Sequence, residues 1–124
     1  MKLLKVNYIF AVILASSMSM FAAIPGSWTY TAKTDTTSFA IDLKRIQTDH
    51  KLNAKTVWIR QTGIEKGTIR IMKWGFRSNG KWSPLREEMY NKNQRLINAK
   101  DIKPYWTKVI PGTISFGVRE MMER

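Results

Sequence analysis

The chain has 124 residues, a formal net charge of +12 and no cysteine. That length suffices for one compact core and is too short for two. The lack of cysteine excludes disulfides, thiol nucleophiles and a lipid-modified cysteine, while the charge favours anionic partners: glycans, lipopolysaccharide, phospholipid headgroups, nucleic acid or acidic proteins.

The opening stretch, MKLLKVNYIFAVILASSMSMFAA, sets Lys2 and Lys5 ahead of an apolar run from Tyr8 to Ala15 and then small residues, the layout of a secretory signal peptide. Residues 1–22 are expected to be a signal removed near Ser19 to Ala23, and residues 23–124 a single exported domain of the periplasm or cell surface, without a lipid anchor. An uncleaved anchor helix is the rival reading. It would need about 20 mostly apolar residues, and Ser16, Ser17 and Ser19 interrupt this run. Without Lys2 and Lys5 the balance is 19 basic against 9 acidic residues, a net charge of +10. The bases are spread along the chain with no long run that would mark a nucleic-acid tail, so the charge is as compatible with plain solvation as with binding.

From Ile24 onward there is no repeat or low-complexity tract, and apolar residues recur at period two between turn residues. SWTYTAK alternates Trp28, Tyr30 and Ala32 with Thr29, Thr31 and Lys33, which predicts a strand with one buried face. TSFAIDLKRI places Phe39 and Ile41 on one side, with Leu43 beside them. QTDHKLNAK is polar and turn-rich and predicts a loop. TVWIRQT predicts a short strand with Val57 and Ile59 on one face and Thr56, Trp58 and Arg60 on the other. GIEKG predicts a hairpin connection into TIRIMKWGFR, where Ile69 and Ile71 share a face and Met72, Trp74 and Phe76 take the other. A bulge at or near Gly75 is expected to absorb that change of phase.

SNGKW carries Asn79-Gly80, a two-residue hairpin signal because both residues tolerate positive φ. Trp82, Leu85 and the run to Tyr90 should return antiparallel; NKNQ turns the chain, Leu96 and Ile97 continue it, and a last strand is expected around Trp106 to Ile110. Pro111 cannot donate to a ladder and Gly112 permits a sharp turn, so the sheet should stop there. Thr113 can cap the following helix, in which Ile114, Val118, Met121 and Met122 form one stripe and Ser115, Arg119, Glu120 and Arg124 take the wet side. So short a helix does not persist alone in water. The predicted fold class is therefore α+β: an antiparallel sheet of about six strands, one face packed on a single C-terminal helix and the other left wet.

The order of VWIR, IRIMKWGF, EEMYNKNQRLI and WTKVIPGT before a terminal helix resembles the surface adhesin protein E family of Gram-negative bacteria. The matching positions are Val57, Trp58 and Ile59; Tyr90 and Asn91; and Trp106, Ile110, Pro111, Gly112 and Thr113. The family's two cysteines are missing here, its Tyr-Asp turn has become Tyr90-Asn91, and its turn glycine corresponds to Gln94 or Arg95. Where the family ties its helix to the sheet covalently, Phe76 is expected to face Met121 or Met122 instead. The resemblance implies an exported, adhesin-like protein whose relatives bind host matrix proteins; it carries no binding residue to this chain.

The residues themselves argue against an enzyme. His50 is the sole histidine and sits beside Asp49 in a polar stretch, the setting of a solvated histidine more than of a base. Glu87 and Glu88 are adjacent, so in a strand they point to opposite faces and make a poor acid/base pair. No metal-ligand spacing and no phosphate-binding glycine loop is present, and no cofactor is expected. For binding, Trp58, Arg60, Arg70 and Trp74 are expected to share the face away from the helix, with Lys81 and Trp82 just across the Asn-Gly turn. Indoles beside cations suit stacking on sugars or anchoring a partner. The commoner use of such tryptophans is core packing or a dimer contact. The expected function is a non-enzymatic binding protein of the cell envelope, engaging host matrix protein or anionic glycan or lipid; the alternative is a periplasmic structural or inhibitory protein. A homodimer is open, and specific nucleic-acid binding is not expected.

Overall fold

Period-two alternation broken by short turns makes the middle of this chain a meander. The computed structural model describes residues 24–63 and 66–124; the expected signal peptide and part of the GIEKG connection lie outside them. Seven strands follow in order: β1 Trp28–Lys33, β2 Thr37–Asp49, β3 Ala54–Gly63, β4 Ile69–Phe76, β5 Lys81–Tyr90, β6 Leu96–Asp101 and β7 Thr107–Lys108, before helix α1 Ile114–Met122. Each of β1 to β5 pairs antiparallel with the next, and β7 adds to β5. The predicted antiparallel sheet with one C-terminal helix is thus present.

Several boundaries differ from expectation, each for a local reason. The QTDHKLNAK segment is mostly strand, because Gln47, Thr48 and Asp49 pair with Thr56, Lys55 and Ala54. Only a tight turn remains, in which Asp49 Oδ1 accepts from the Leu52 N–H at 3.0 Å. At SNGKW the Gly80 N–H donates to Arg77 O and only Gly80 has positive φ, so Ser78-Asn79 form the turn and Gly80 the left-handed residue after it. NKNQ repeats this shape, with Gln94 at φ 62 in the left-handed place. The last strand shrinks to two residues. β6 occupies the β5 edge from Arg86 to Tyr90, which leaves β7 only Lys81 and Trp82.

The expected phase change in β4 does not occur. β4 keeps strict alternation, with Met72, Trp74 and Phe76 toward the helix and Ile69 and Ile71 away from it, because both faces of the sheet are covered. The irregularities fall in its neighbours. β2 is bulged between Asp42 and Gln47, and β5 carries Leu85 as an extra residue between Pro84 and Arg86. Gly75 instead makes room: a Cβ there would stand 3.0 Å from Leu85 and 3.2 Å from Trp106.

On the helix face Ile41, Val57, Ile59, Met72, Trp74, Phe76, Val109 and Val118 form the main core, with Phe39, Ile46, Trp82, Ile114, Phe116, Met121 and Met122 packed around it. Leu43 and Tyr30, expected to be buried, are exposed, since the β2 bulge turns Leu43 outward and gives its place to Ile46. Thr113 caps α1, its Oγ1 accepting from the Phe116 N–H. Ser115 is buried rather than wet, in hydrogen-bond contact with the capping Thr113 hydroxyl.

Among the described residues the helix is held to the sheet by apolar contact, with no covalent tie. Truncating Met121 and Met122 together to Ala should cost about 2–4 kcal/mol, both being partly buried, and should lower the melting temperature by several degrees. An unchanged thermal melt would contradict this account of the helix.

Candidate functional site

The face away from the helix is built in cross-strand rows. Strand register aligns Trp28, Asp42, Trp58, Lys73, Arg86 and Asp101 in one row, and Tyr30, Ala40, Arg60, Ile71, Glu88 and Ala99 in the next. Trp58 therefore sits near the middle of the sheet, with Lys73 beside it and Arg60 two residues along the same strand.

Asp42 organises one side of this surface. Its side chain is 1% exposed, and its Oδ2 accepts from Arg45 Nε at 2.6 Å and the Ser27 N–H at 3.1 Å, while Oδ1 accepts from the Lys44 N–H at 3.1 Å. Burial alone would raise the carboxyl's pKa, but the Arg45 bond, the two backbone N–H bonds and the Arg45 charge outweigh it and hold the pKa below the usual value. Arg45 lies between two indoles, 5.6 Å from the Trp28 ring and 5.4 Å from the Trp58 ring, and donates through Nη2 to Pro25 O. Strict alternation would send Arg45 to the opposite face from Asp42. The β2 bulge brings it back.

The segment before β1 lies on this same face. Ile24 packs with Ile69 and Ile71, fringed by Trp28, Trp58 and Tyr90, and its N–H donates to Gln94 Oε1. Gly26 lets the segment pass close to the sheet: its φ is 141°, and a Cβ there would stand 2.8 Å from Trp28 and 2.9 Å from the Asp42 carboxylate. Trp28 Nε1 is left buried without a hydrogen-bond partner. The outer face is therefore only partly wet, in contrast to the expectation of a bare face.

Farther along the row the charges are paired, with two carboxylates sharing one arginine. Arg86 bridges Glu88 at 2.9 Å and Asp101 at 2.9 Å, and the Tyr90 hydroxyl donates to Glu88. Burial, and then that bond to Glu88, pushes the Tyr90 pKa up to about 12. Near Trp58 the pattern differs. Lys73 Nζ stands 5.9 Å over the Trp58 ring, and among the described residues neither Lys73 nor Arg60 enters an ion pair. The acids on these rows are bound to Arg45 and Arg86, so Lys73 and Arg60 stand without an acid partner beside a half-buried indole; with Arg45, four cations face three carboxylates.

The six residues predicted for a shared binding surface are divided by the sheet. Trp58 and Arg60 are on the outer face as expected, whereas register places Arg70 and Trp74 on the helix face, opposite Gln61 and Val57. Trp74 is buried, its ring 4.8 Å from that of Trp82, which in turn stacks on Phe76 at 6.3 Å. Arg70 pairs with Glu87 at 3.2 Å. Lys81 is exposed at the start of β5. The reason is the unbroken alternation of β4, which sets every even residue of that strand toward the helix. Arg45, Lys73, Trp28 and Asp42 were not singled out from sequence. A carboxylate within a strand, three residues before Arg45, was the available signal, but it points to contact only once the bulge is known.

Elsewhere, His50 is exposed in the β2–β3 turn, and register sets Glu87 opposite Met72 and Glu88 opposite Ile71, on opposite faces. Among the described residues no group of three His, Asp or Glu side chains is placed to hold a metal ion, and no helix is long and apolar enough to cross a membrane. Comparison with protein-family models, curated proteins and solved structures gives no match.

Asp42 yields a signed pH dependence. A depressed carboxylate contributes stability that is fully present above its unfolded value of about 3.9 and is lost as pH falls through the lower folded value. Asp42→Asn should cost about 1–3 kcal/mol at neutral pH, tempered by the part-exposed Arg45. The gap from the parent protein should narrow as pH falls below the usual carboxylate range and the parent's own carboxylate becomes protonated. Thermal melts of both proteins across that range check it; a gap that persists in strong acid would refute the assignment.

Proposed function

We propose that this protein is an exported, non-enzymatic binding protein that engages anionic macromolecules of the cell envelope or host matrix through the outer face of its sheet, in an adhesin-like role. The observation that carries this is that Arg60 and Lys73, near Trp58, have no acid partner among the described residues, the carboxylates of these rows being bound to Arg45 and Arg86. A cation surplus around an indole attracts sulfated, phosphorylated or carboxylated polymers and lets sugar rings stack. A row of side chains running across neighbouring strands suits an extended polymer better than a small molecule. Export is supported by the Lys2 and Lys5 signal layout, and the adhesin-like role by the resemblance carried by Trp58, Tyr90 and the Trp106 to Gly112 stretch.

Binding to an immobilised sulfated polysaccharide is expected to weaken steeply with salt. Arg60→Glu with Lys73→Glu should reduce it about tenfold or more, two cation contacts being worth roughly 1 kcal/mol each, with an unchanged melting temperature. Equal retention of parent and variant would remove the outer face from consideration. On intact cells, antibody access to the folded domain is expected, and its confinement behind the outer membrane would end the adhesin reading.

A further inference from the structure

At the end of the sheet where β2 turns into β3 and β4 into β5, the C-terminal end of α1 leaves a cleft of about 310 Å³. Its apolar side chains are Phe76 and Met122, and it carries three cations, Lys55, Arg77 and Arg119, against one carboxylate, Glu123. Thr48, Asn53 and Ser78 add neutral polar groups. This is near the lower end of the volumes that hold small ligands, roughly 300–1,000 Å³.

The three cations differ in how they are held. Arg77 is fixed: its Nε and Nη2 donate to Leu52 O at 3.1 and 2.9 Å, and its guanidinium lies 3.9 Å over the Trp106 ring. Lys55 is exposed and, among the described residues, in no ion pair. Arg119 is part-buried, its Nε is buried without a hydrogen-bond partner, and its guanidinium lies 5.6 Å from the Phe116 ring. A buried N–H with no acceptor is costly, and a turn of the side chain onto an incoming oxyanion would relieve it. The carbonyl end of α1 and Glu123 oppose an anion here. Three cations against one carboxylate leave the rim positive.

We infer that this cleft binds a small amphipathic anion, an oxyanion head held by Arg77, Arg119 and Lys55 with a short apolar body on Phe76 and Met122. The site is distinct from the outer-face surface, since its residues are other than Trp58, Arg60 and Lys73. A fixed arginine and a turnable one divide the work: Arg77 sets the position of the head, and Arg119 closes on it. Glu123 on the same rim limits affinity and favours a singly over a doubly charged head.

Titration at constant ionic strength tests this, using calorimetry and tryptophan fluorescence, to which Trp106 under Arg77 contributes. The probes are inorganic phosphate and hexyl phosphate, with chloride as the ionic control. Hexyl phosphate should bind saturably and at least about tenfold tighter than inorganic phosphate, as burial of its alkyl chain requires. Arg119→Met and Lys55→Met should each weaken it several-fold, Glu123→Gln should tighten it, and Arg60→Glu with Lys73→Glu should leave it unchanged. Circular-dichroism melts establish that each variant is folded; Lys55 is exposed, so its variant keeps the test valid should Arg119→Met unfold. No saturable binding of hexyl phosphate, or binding indifferent to Lys55, Arg119 and Glu123, would overturn the inference. Loss of binding only in the Arg60 and Lys73 variant would also overturn it, by assigning the anion to the outer face.

Discussion

A carboxylate taken out of water inside a sheet must have its charge answered within hydrogen-bond reach, and Asp42 imposes that demand on the rest of this molecule. Three donors meet it, and each fixes a different part of the chain. Ser27 fixes the segment that crosses the outer face, Lys44 the bulge in β2, and Arg45 the pair of indoles it lies between. The bulge reverses the phase of the strand. Ile46 thereby reaches the helix face and Leu43 is turned out of it. One buried charge thus links the two faces of the sheet, although their apolar clusters do not touch the same residues.

Both faces are covered by segments at the two ends of the described chain. Ile24 and its neighbours lie on the outer face, whereas the chain after β6 brings Trp106 against Gly75, rounds the edge of β5 through β7, buries Val109 and lays α1 on the other side. The central strands β3 and β4 accordingly carry apolar residues on both faces. Isolated pieces of such a sheet would expose large apolar areas, and the two covering segments hide them without a disulfide.

Charge is distributed unevenly over this frame. Where carboxylates lie on the sheet they are matched, as in the Arg70, Glu87 and Lys100 group and the Arg86, Glu88 and Asp101 group. Two of the places where cations outnumber carboxylates differ in shape: a cross-strand row around Trp58, suited to an extended polyanion, and a half-open cleft at the helix end, suited to a small one. The same composition therefore supports two kinds of recognition that differ in geometry and not in sign.

Sequence alone determined the strands of the meander, the stop at Pro111-Gly112, the Thr113 cap and the stripe of Ile114, Val118, Met121 and Met122, because alternation, turn chemistry and helical spacing are local properties. It also identified Trp58 and Arg60 as facing away from the helix. It could not decide which face Arg70 and Trp74 share, nor find Arg45 and Lys73, since a bulge in one strand resets the facing of all that follows and is chosen by partners distant in sequence. Nor could it bring Lys55, Arg77 and Arg119 together: they come from two hairpins and a helix, and only the packing of that helix on the sheet, set by the shape of a shared core, makes them neighbours.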